Sequence, residues 1–409
     1  MSRLLYFAVY IAGSGLGLVK MLAVARELAP GNFGLYALVA ISAGLLGYGS
    51  SLGILDAFLV RLNPDRASLE DRRSARDSGV MFSTFLSIML AVAVTSIYAF
   101  TSDHQYGLMT LAIVVSVLVV QNTFNTLMIE IQAQGRSQTY ATLLSIKSLV
   151  PIIVIMSVFP GNNLLFFLAL DLVCLIGLVL YCMFASGFPR PSNFSFAEVT
   201  SLIRQGAPFT GQNLVQNLCL NMDKWAIGIY LGSVSLGIYN LAAQLIVCGV
   251  AFSSMVQVYY LPRTISLFKD GGSSMDLYRS VLRLSAAALA ISSILFAACV
   301  AASFPLIGYL YPDYLDAIKI LPITAAAGVV ISSNQTDLYF RAKLLGGMYL
   351  KTQIIALVAL LLLYSILVVT GGALWMYAAG FVGARVLQAA VAFGAAYRDA
   401  SASEKGAFV

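Results

Sequence analysis

Twelve apolar runs of about twenty residues or more follow one another along the 409-residue chain. A helix rises about 1.5 Å per residue, so a run of about 20 apolar residues crosses the hydrocarbon core of a bilayer. Within that core the backbone must satisfy its own hydrogen bonds, and a helix does so inside one segment. We therefore predict an all-α membrane protein with twelve transmembrane helices, at residues 4–25, 34–60, 78–101, 107–132, 138–159, 164–185, 207–231, 236–261, 279–303, 317–340, 348–370 and 373–397.

The composition leaves no room for a soluble domain and little sign of an enzyme. Hydrophobic residues make up 60% of the chain and charged residues 10%, whereas a soluble domain has about 25% charged residues. The single histidine and the five cysteines show no zinc-ligand or disulfide spacing, and the chain has no nucleotide-binding glycine loop or nucleophile elbow. The net charge of +6 comes from bases scattered among short loops. We therefore expect no nucleic-acid partner, no metal and no cofactor.

The basic residues are divided unevenly between the two sides of the predicted spans. With the N-terminus in the cytoplasm, eighteen of the 24 Lys and Arg fall in inner segments and two in outer loops. The remaining four lie within the spans. Lys and Arg favour the cytoplasmic side of a membrane, so we expect both termini to be cytoplasmic.

The two halves of the chain share a motif that links their first and second spans. Residues 28–40 (LAPGNFGLYALVA) align with residues 231–243 (LGSVSLGIYNLAA) without a gap. This predicts two parallel six-helix repeats related by a pseudo-two-fold axis along the membrane normal, with a substrate site between them. We place the N-terminal lobe at 1–186, a cytoplasmic linker at 187–206 and the C-terminal lobe at 207–409.

Four basic residues interrupt the apolar runs: Lys20, Lys147, Lys224 and Arg385. A charge at the bilayer centre costs about 2.5–3.5 kcal/mol on insertion scales, so such residues usually face a bundle interior or a watery cavity. Lys147 and Arg385 lie near the predicted midplane. The other two lie toward the outer third, where snorkelling to the interface is the alternative. A cluster of buried cations predicts an anionic substrate.

The seventh span is the most polar. Asn213, Asn217, Asn221 and Lys224 share one helix face at spacings of four, four and three residues. We interpret this face as cavity lining that contacts substrate, with hydrogen bonding between helices as the alternative.

Three acids are candidates for ion coupling. Asp171 lies in the sixth span and is a counter-ion or proton carrier, with a structural ion pair to Lys147 as the alternative. Asp223 lies beside Lys224, with which it could form a neutral pair. Glu130 lies near the inner end of the fourth span, where it could also reach the cytoplasm.

Two segments resemble signatures of a known family. Residues 26–36 (RELAPGNFGLY) and residues 221–232 (NMDKWAIGIYLG) followed by 236–239 (LGIY) are similar to those of Wzx-type polysaccharide and O-antigen flippases. These flippases belong to the multidrug/oligosaccharidyl-lipid/polysaccharide (MOP) exporter superfamily. The resemblance covers the length, the twelve spans, the cytoplasmic termini and the two lobes.

The resemblance implies a MATE-like fold and a flippase of the bacterial inner membrane. Such a protein moves an undecaprenyl-diphosphate-linked oligosaccharide from the inner to the outer leaflet by alternating access, for synthesis of a surface polysaccharide such as O-antigen, lipopolysaccharide or exopolysaccharide. It further implies possible coupling to H+ or Na+. A polysaccharide polymerase and a chain-length regulator are possible partners beside the membrane lipids.

Two other functions remain open at this stage. A MATE-like drug/cation antiporter is expected to have a more acidic interior than this one. A membrane glycan polymerase, ligase or glycosyltransferase is expected to carry a substantial outer catalytic loop. A channel or scaffold is a further, weaker reading.

Overall fold

A computed structural model describes residues 3–62, 69–101, 108–269, 273–343 and 345–406. These residues form fifteen α-helices and two single-turn 3-10 helices, and the described ranges contain no β-strand. The α-helices are α1 (Arg3–Glu27), α2 (Pro30–Ser51), α3 (Ile54–Arg61), α4 (Leu69–Thr101), α5 (Leu108–Ala133), α6 (Ser137–Val158), α7 (Leu164–Ser186), α8 (Phe196–Tyr230), α9 (Gly232–Ala242), α10 (Gln244–Lys269), α11 (Ser274–Leu310), α12 (Ala317–Ser333), α13 (Thr336–Ala342), α14 (Gly346–Thr370) and α15 (Leu374–Gly406).

The all-α, multi-pass prediction is confirmed. Within the described ranges, ten helical stretches are long and apolar enough to cross a membrane. Each of the twelve predicted spans coincides with helix, but α1 and α8 are not among those ten stretches. In α8 the run of asparagines together with Asp223 and Lys224 lowers the hydropathy. The total of twelve spans therefore stays a prediction.

Three predicted spans are broken in the structure. The second breaks between α2 and α3, where Leu52 and Gly53 both adopt the left-handed conformation, with φ of 44° and 94°. Gly53 also meets the backbone of Gly206 so closely that a Cβ on Gly206 would lie 1.8 Å from the Gly53 carbonyl oxygen. The eighth span divides into α9 and α10, and the tenth into α12 and α13.

The tight turn before α7 is explained by local hydrogen bonding. The Asn163 side chain accepts a hydrogen bond of 3.2 Å from the Phe166 backbone N–H, which caps the first turn of α7. Gly161 takes a φ of 63°, which a residue with a Cβ rarely adopts.

Packing divides the chain into a first unit, Met1–Asn217, and a second unit, Leu218–Val409. The boundary lies inside α8, which runs without a break from Phe196. The final residues of the predicted linker (187–206) therefore belong to this helix. The assignment of the two lobes stays a prediction.

The first unit is organised around α5, which packs against α2, α3, α4 and α7, while α1 packs along α6. Its main core contains Phe58 of α3, Phe124 and Leu127 of α5, Leu143 of α6 and Leu178 of α7. α5 is thus held in place by helices on several sides, which fixes the polar residues that it carries.

The second unit is organised around α12, which packs against α10, α11 and α15, while α14 pairs with α15. α10 and α12 approach at two glycines, because a Cβ on Gly249 would lie 2.5 Å from the Gly328 carbonyl oxygen. Small residues permit this close approach of two helices in a membrane.

Gly249→Ala should destabilise the second unit by about 1–3 kcal/mol, because the added methyl group meets a backbone that cannot move aside. Gly383→Ala is the matched control, since a Cβ there meets nothing within 4 Å and alanine favours the helix. The midpoint of thermal unfolding of the purified protein should fall for Gly249→Ala and not for Gly383→Ala. Equal midpoints would show that the two backbones are not in tight contact.

Candidate functional site

The first unit contains a partly open cavity of about 330 Å³. Its charged lining residues are Lys20 of α1, Lys147 of α6 and Asp171 of α7. Tyr36 of α2 and the amide side chains Gln121 and Asn125 of α5 also line it. The structure thus brings together three of the residues predicted from the sequence, and it adds two amides.

Lys20 is neutralised by an ion pair inside this cavity. Its Nζ lies 2.5 Å from Oδ1 of Asp171, and the Tyr36 hydroxyl donates a 2.6 Å hydrogen bond to Oδ2 of the same carboxylate. The Lys20 and Asp171 side chains are 13% and 16% exposed. Both oxygens of Asp171 are therefore engaged, and Asp171 pairs with Lys20 instead of Lys147.

Lys147 has no acidic partner among the described residues. Its Nζ lies 5.5 Å from the centroid of the Phe124 ring, a cation–π contact. No carboxylate lies within 4.0 Å of this ammonium in the part of the chain that the structure describes. Lys147 is therefore the uncommitted cation of the first cavity.

Gln121 and Asn125 are cavity residues that the sequence analysis did not select. The Gln121 side-chain amide donates a 2.9 Å hydrogen bond to Asn125 Oδ1 across one helical turn. The neighbouring amide Asn122 lies on another face of α5 and donates hydrogen bonds inside the protein to Ser83 at 3.4 Å and to Ser87. Gln121 and Asn125 are four residues apart, so the sequence places them on one face of the helix. It does not show which face of α5 lines a cavity.

Glu130 lies on the buried side of α5 and does not line the cavity. Its Oε1 lies 2.8 Å from Nε of Arg76, and Gln134 donates a 3.0 Å hydrogen bond to it. Arg76 also pairs with Asp77 at 3.1 Å and donates to the Gly187 carbonyl. Glu130 thus forms part of a buried ion network, and its role in ion coupling stays a prediction.

The asparagine face of α8 is divided between the two units. Asn213 and Asn217 are half-buried residues of the first unit, whereas Asn221 and Lys224 belong to the second. Lys224 Nζ donates to Asn221 Oδ1 at 2.9 Å and to the Leu220 carbonyl at 3.4 Å. Lys224 is 6% exposed, so it folds back on its own helix.

Asp223 is fully buried in the second unit. The Tyr239 hydroxyl donates a short hydrogen bond to Oδ2 of Asp223, whereas Oδ1 has no hydrogen-bond partner. The described residues include no ion pair between Asp223 and Lys224. Adjacent side chains on a helix diverge by about 100°, which explains why these two do not pair.

Arg385 of α15 is the second cation with free donors. Its Nη1 donates to Gln388 Oε1 at 2.7 Å, and its guanidinium lies 4.9 Å from the Phe381 ring centroid. Nε and Nη2 are buried and have no hydrogen-bond partner. Unsatisfied guanidinium donors in an apolar interior are costly, which marks Arg385 as a group prepared for an anion.

Buried, uncommitted charge on a multi-pass helical scaffold is characteristic of a membrane transporter. The family comparison agrees. Residues 3–264 match the family described as polysaccharide biosynthesis protein, and the chain belongs to this family. A search of curated proteins returned no match.

Solved structures with the same fold are MOP superfamily transporters. The inward-facing form of a multidrug resistance MATE family transporter superposes with a TM-score of 0.72 at 16% identity, covering 96% of each chain. The outward-facing form of such a transporter gives 0.61 at 17% identity, covering 98% of this chain and 96% of that one. A MOP transporter from Pyrococcus furiosus, described as having a binding pocket of reverse polarity, gives 0.62 at 15% identity over 97% and 95%. The MATE-like fold is therefore confirmed.

Lys20→Met should destabilise the protein by about 1–3 kcal/mol, because it leaves the Asp171 carboxylate without its cation. Lys147→Met should leave the stability unchanged or raise it, since it removes a half-buried charge that has no acidic partner among the described residues. Thermal unfolding of the purified variants checks both expectations. The double variant Lys20→Met/Asp171→Asn should recover most of the loss, and a destabilised Lys147→Met would contradict the assignment of the two lysines.

Proposed function

We propose that this protein is a flippase that moves an undecaprenyl-diphosphate-linked oligosaccharide from the inner to the outer leaflet of the bacterial inner membrane. The observation that carries the proposal is Lys147, an uncommitted cation that lines a cavity of a polysaccharide biosynthesis protein. Arg385 supplies a second uncommitted cation in the other unit.

The two cations suit the phosphates of such a lipid. A lysine binds phosphate as a point charge, and an arginine binds it as a planar fork with several donors. Arg385 retains two donor nitrogens for this purpose. In an apolar interior each charge-assisted hydrogen bond is stronger than in water, so few contacts suffice.

The amides beside Lys147 suit the sugar. Gln121 and Asn125 offer both donors and acceptors to hydroxyl groups, at the wall of the same cavity. A volume of about 330 Å³ lies at the lower end of the range for small-molecule sites. The first unit therefore suits one phosphate with the adjoining sugar, and the rest of the oligosaccharide lies outside this cavity. The asparagines at 213, 217 and 221 are proposed as further sugar contacts.

The direction and setting of transport are proposed from the charge distribution of the chain and from its family. The excess of inner Lys and Arg supports cytoplasmic termini. The product at the outer leaflet would be consumed by a polymerase under a chain-length regulator, which are the proposed partners. The lipid tail would remain in the bilayer while the charged head group crosses.

Coupling to H+ or Na+ is part of the proposal, and the structure ranks the acids. Asp171 pairs with Lys20 and Glu130 with Arg76, whereas the described residues include no ion pair of Asp223. Asp223 and Glu130 each have one buried carboxylate oxygen without a hydrogen-bond partner. Asp223 is therefore the first candidate for ion coupling.

The alternative function, a drug/cation antiporter, requires an acidic residue without a basic partner to bind a cationic substrate. In the first cavity the uncommitted charge is basic.

Lys147→Ala and Arg385→Ala should each lower surface glycan at least tenfold when tested by complementation of a deletion strain, because each removes a contact to phosphate. Lys319→Ala is the matched control, since this lysine is exposed and its ion pair among the described residues is with Asp316, three residues earlier, at 2.7 Å. Immunoblotting should show all three proteins at wild-type levels in the membrane.

The deletion strain should also accumulate lipid-linked repeat units in the inner leaflet. Intact surface glycan after deletion, in a strain without a redundant transporter, would overturn the flippase assignment. Full complementation by both cation variants would show that Lys147 and Arg385 do not bind the substrate.

A further inference from the structure

The repeated motif places opposite charges at equivalent positions of the two halves. Tyr36 and Tyr239 occupy the same place in the motif, and Lys20 and Asp223 each precede their tyrosine by sixteen residues. Both tyrosines donate a hydrogen bond to an aspartate. In the first unit that aspartate is Asp171 of α7. In the second unit it is Asp223 of α8, which occupies the position equivalent to Lys20. Acid and base have exchanged helices between the repeats.

The exchanged base is Arg385. Asp171 lies seven residues after the first residue of α7, and the same position in α15 is Phe381. Arg385 lies four residues further, on the same face and about one helical turn deeper. Its guanidinium rests on the Phe381 ring at 4.9 Å. In the first unit Lys20 and Asp171 form an ion pair. In the described part of the second unit no ion pair joins Asp223 and Arg385.

Asp223 and Arg385 are both buried, and each has polar side-chain atoms without a hydrogen-bond partner. Asp223 is 0% exposed and Arg385 is 6% exposed. Asp223 lies close enough to influence Arg385 electrostatically, and opposite charges attract strongly where water is excluded. The contact that holds the carboxylate in place is the hydrogen bond from the Tyr239 hydroxyl to Oδ2.

We propose that Tyr239 is a positioning residue that holds Asp223 away from Arg385 and so keeps the guanidinium open to an anionic phosphate group. The proposal rests on the proposed function, because it assigns Arg385 to the substrate. Without the Tyr239 hydroxyl, the carboxylate turns to the guanidinium and closes the pair, as Asp171 does with Lys20 in the first unit. Tyr239 acts through Asp223 and does not touch the ligand.

The test uses the full chain in nanodiscs and inorganic diphosphate as the probe, with affinity measured by isothermal titration calorimetry. Tyr239→Phe should weaken binding about tenfold, toward the level of Arg385→Ala, which corresponds to about 1.4 kcal/mol. Tyr239→Phe/Asp223→Asn should restore the affinity to within about twofold of wild type, because a neutral amide cannot form the ion pair.

Tyr364→Phe is the matched control. It also removes a buried hydroxyl near Arg385, but this one donates to the Tyr377 carbonyl at 3.3 Å, and no hydrogen bond joins it to Asp223 among the described residues. This variant should keep the wild-type affinity. Wild-type affinity in Tyr239→Phe, or failure of the double variant to recover binding, would overturn the proposal.

A second measurement separates this inference from the proposed function. In a cryo-electron microscopy structure of Tyr239→Phe, an Asp223 oxygen should lie within salt-bridge distance of the Arg385 guanidinium. If wild type does not bind diphosphate, the anion assignment fails, and the variant structure still decides the positioning role. An unmoved Asp223 in that structure would overturn it.

Discussion

Charge inside a bilayer has to be paired, hydrogen-bonded or reserved for a ligand, and the interior of this protein depends on how that constraint is met. Lys20 forms an ion pair with Asp171, and Glu130 forms one with Arg76. Lys224 donates hydrogen bonds to oxygens of its own helix. Each of these groups has a charged or polar partner within the protein. Lys147 has no acidic partner among the described residues and Arg385 has two donor nitrogens without a hydrogen-bond partner, although both lie within helices of a multi-pass membrane protein. The difference separates structural charge from charge that is available to a substrate.

Much of the fold could be predicted from the apolar runs, because a helix that crosses a bilayer has a minimum length and must bond its own backbone. The interruptions could not. The left-handed pair Leu52 and Gly53 occupies two residues inside an apolar run, so the average hydropathy does not register it. The first turns of α8, from Phe196, fall in the predicted linker because they are polar and extend the helix beyond the apolar segment.

The sequence predicts which charged residues lie inside the apolar runs, but not which acid pairs with which base. The depth of each basic residue in its apolar run singles out Lys147 and Arg385 as the most central cations, and neither has an acidic partner in the described ranges. Which acid meets which base depends on contacts between distant segments, and Lys20 and Asp171 are 151 residues apart. The choice between neighbouring faces of α5 likewise depended on packing, since Asn122 meets α4 while Gln121 and Asn125 meet the cavity.

Native mass spectrometry of the full chain with two lipids that share one tail tests the central claim most directly. If uncommitted cations recognise the substrate, undecaprenyl diphosphate should bind at least tenfold more tightly than uncharged undecaprenol, because only the former offers anionic oxygens to Lys147 and Arg385. The preference should diminish when both cations are replaced by alanine. Equal binding of the two lipids to the wild-type protein would contradict the account.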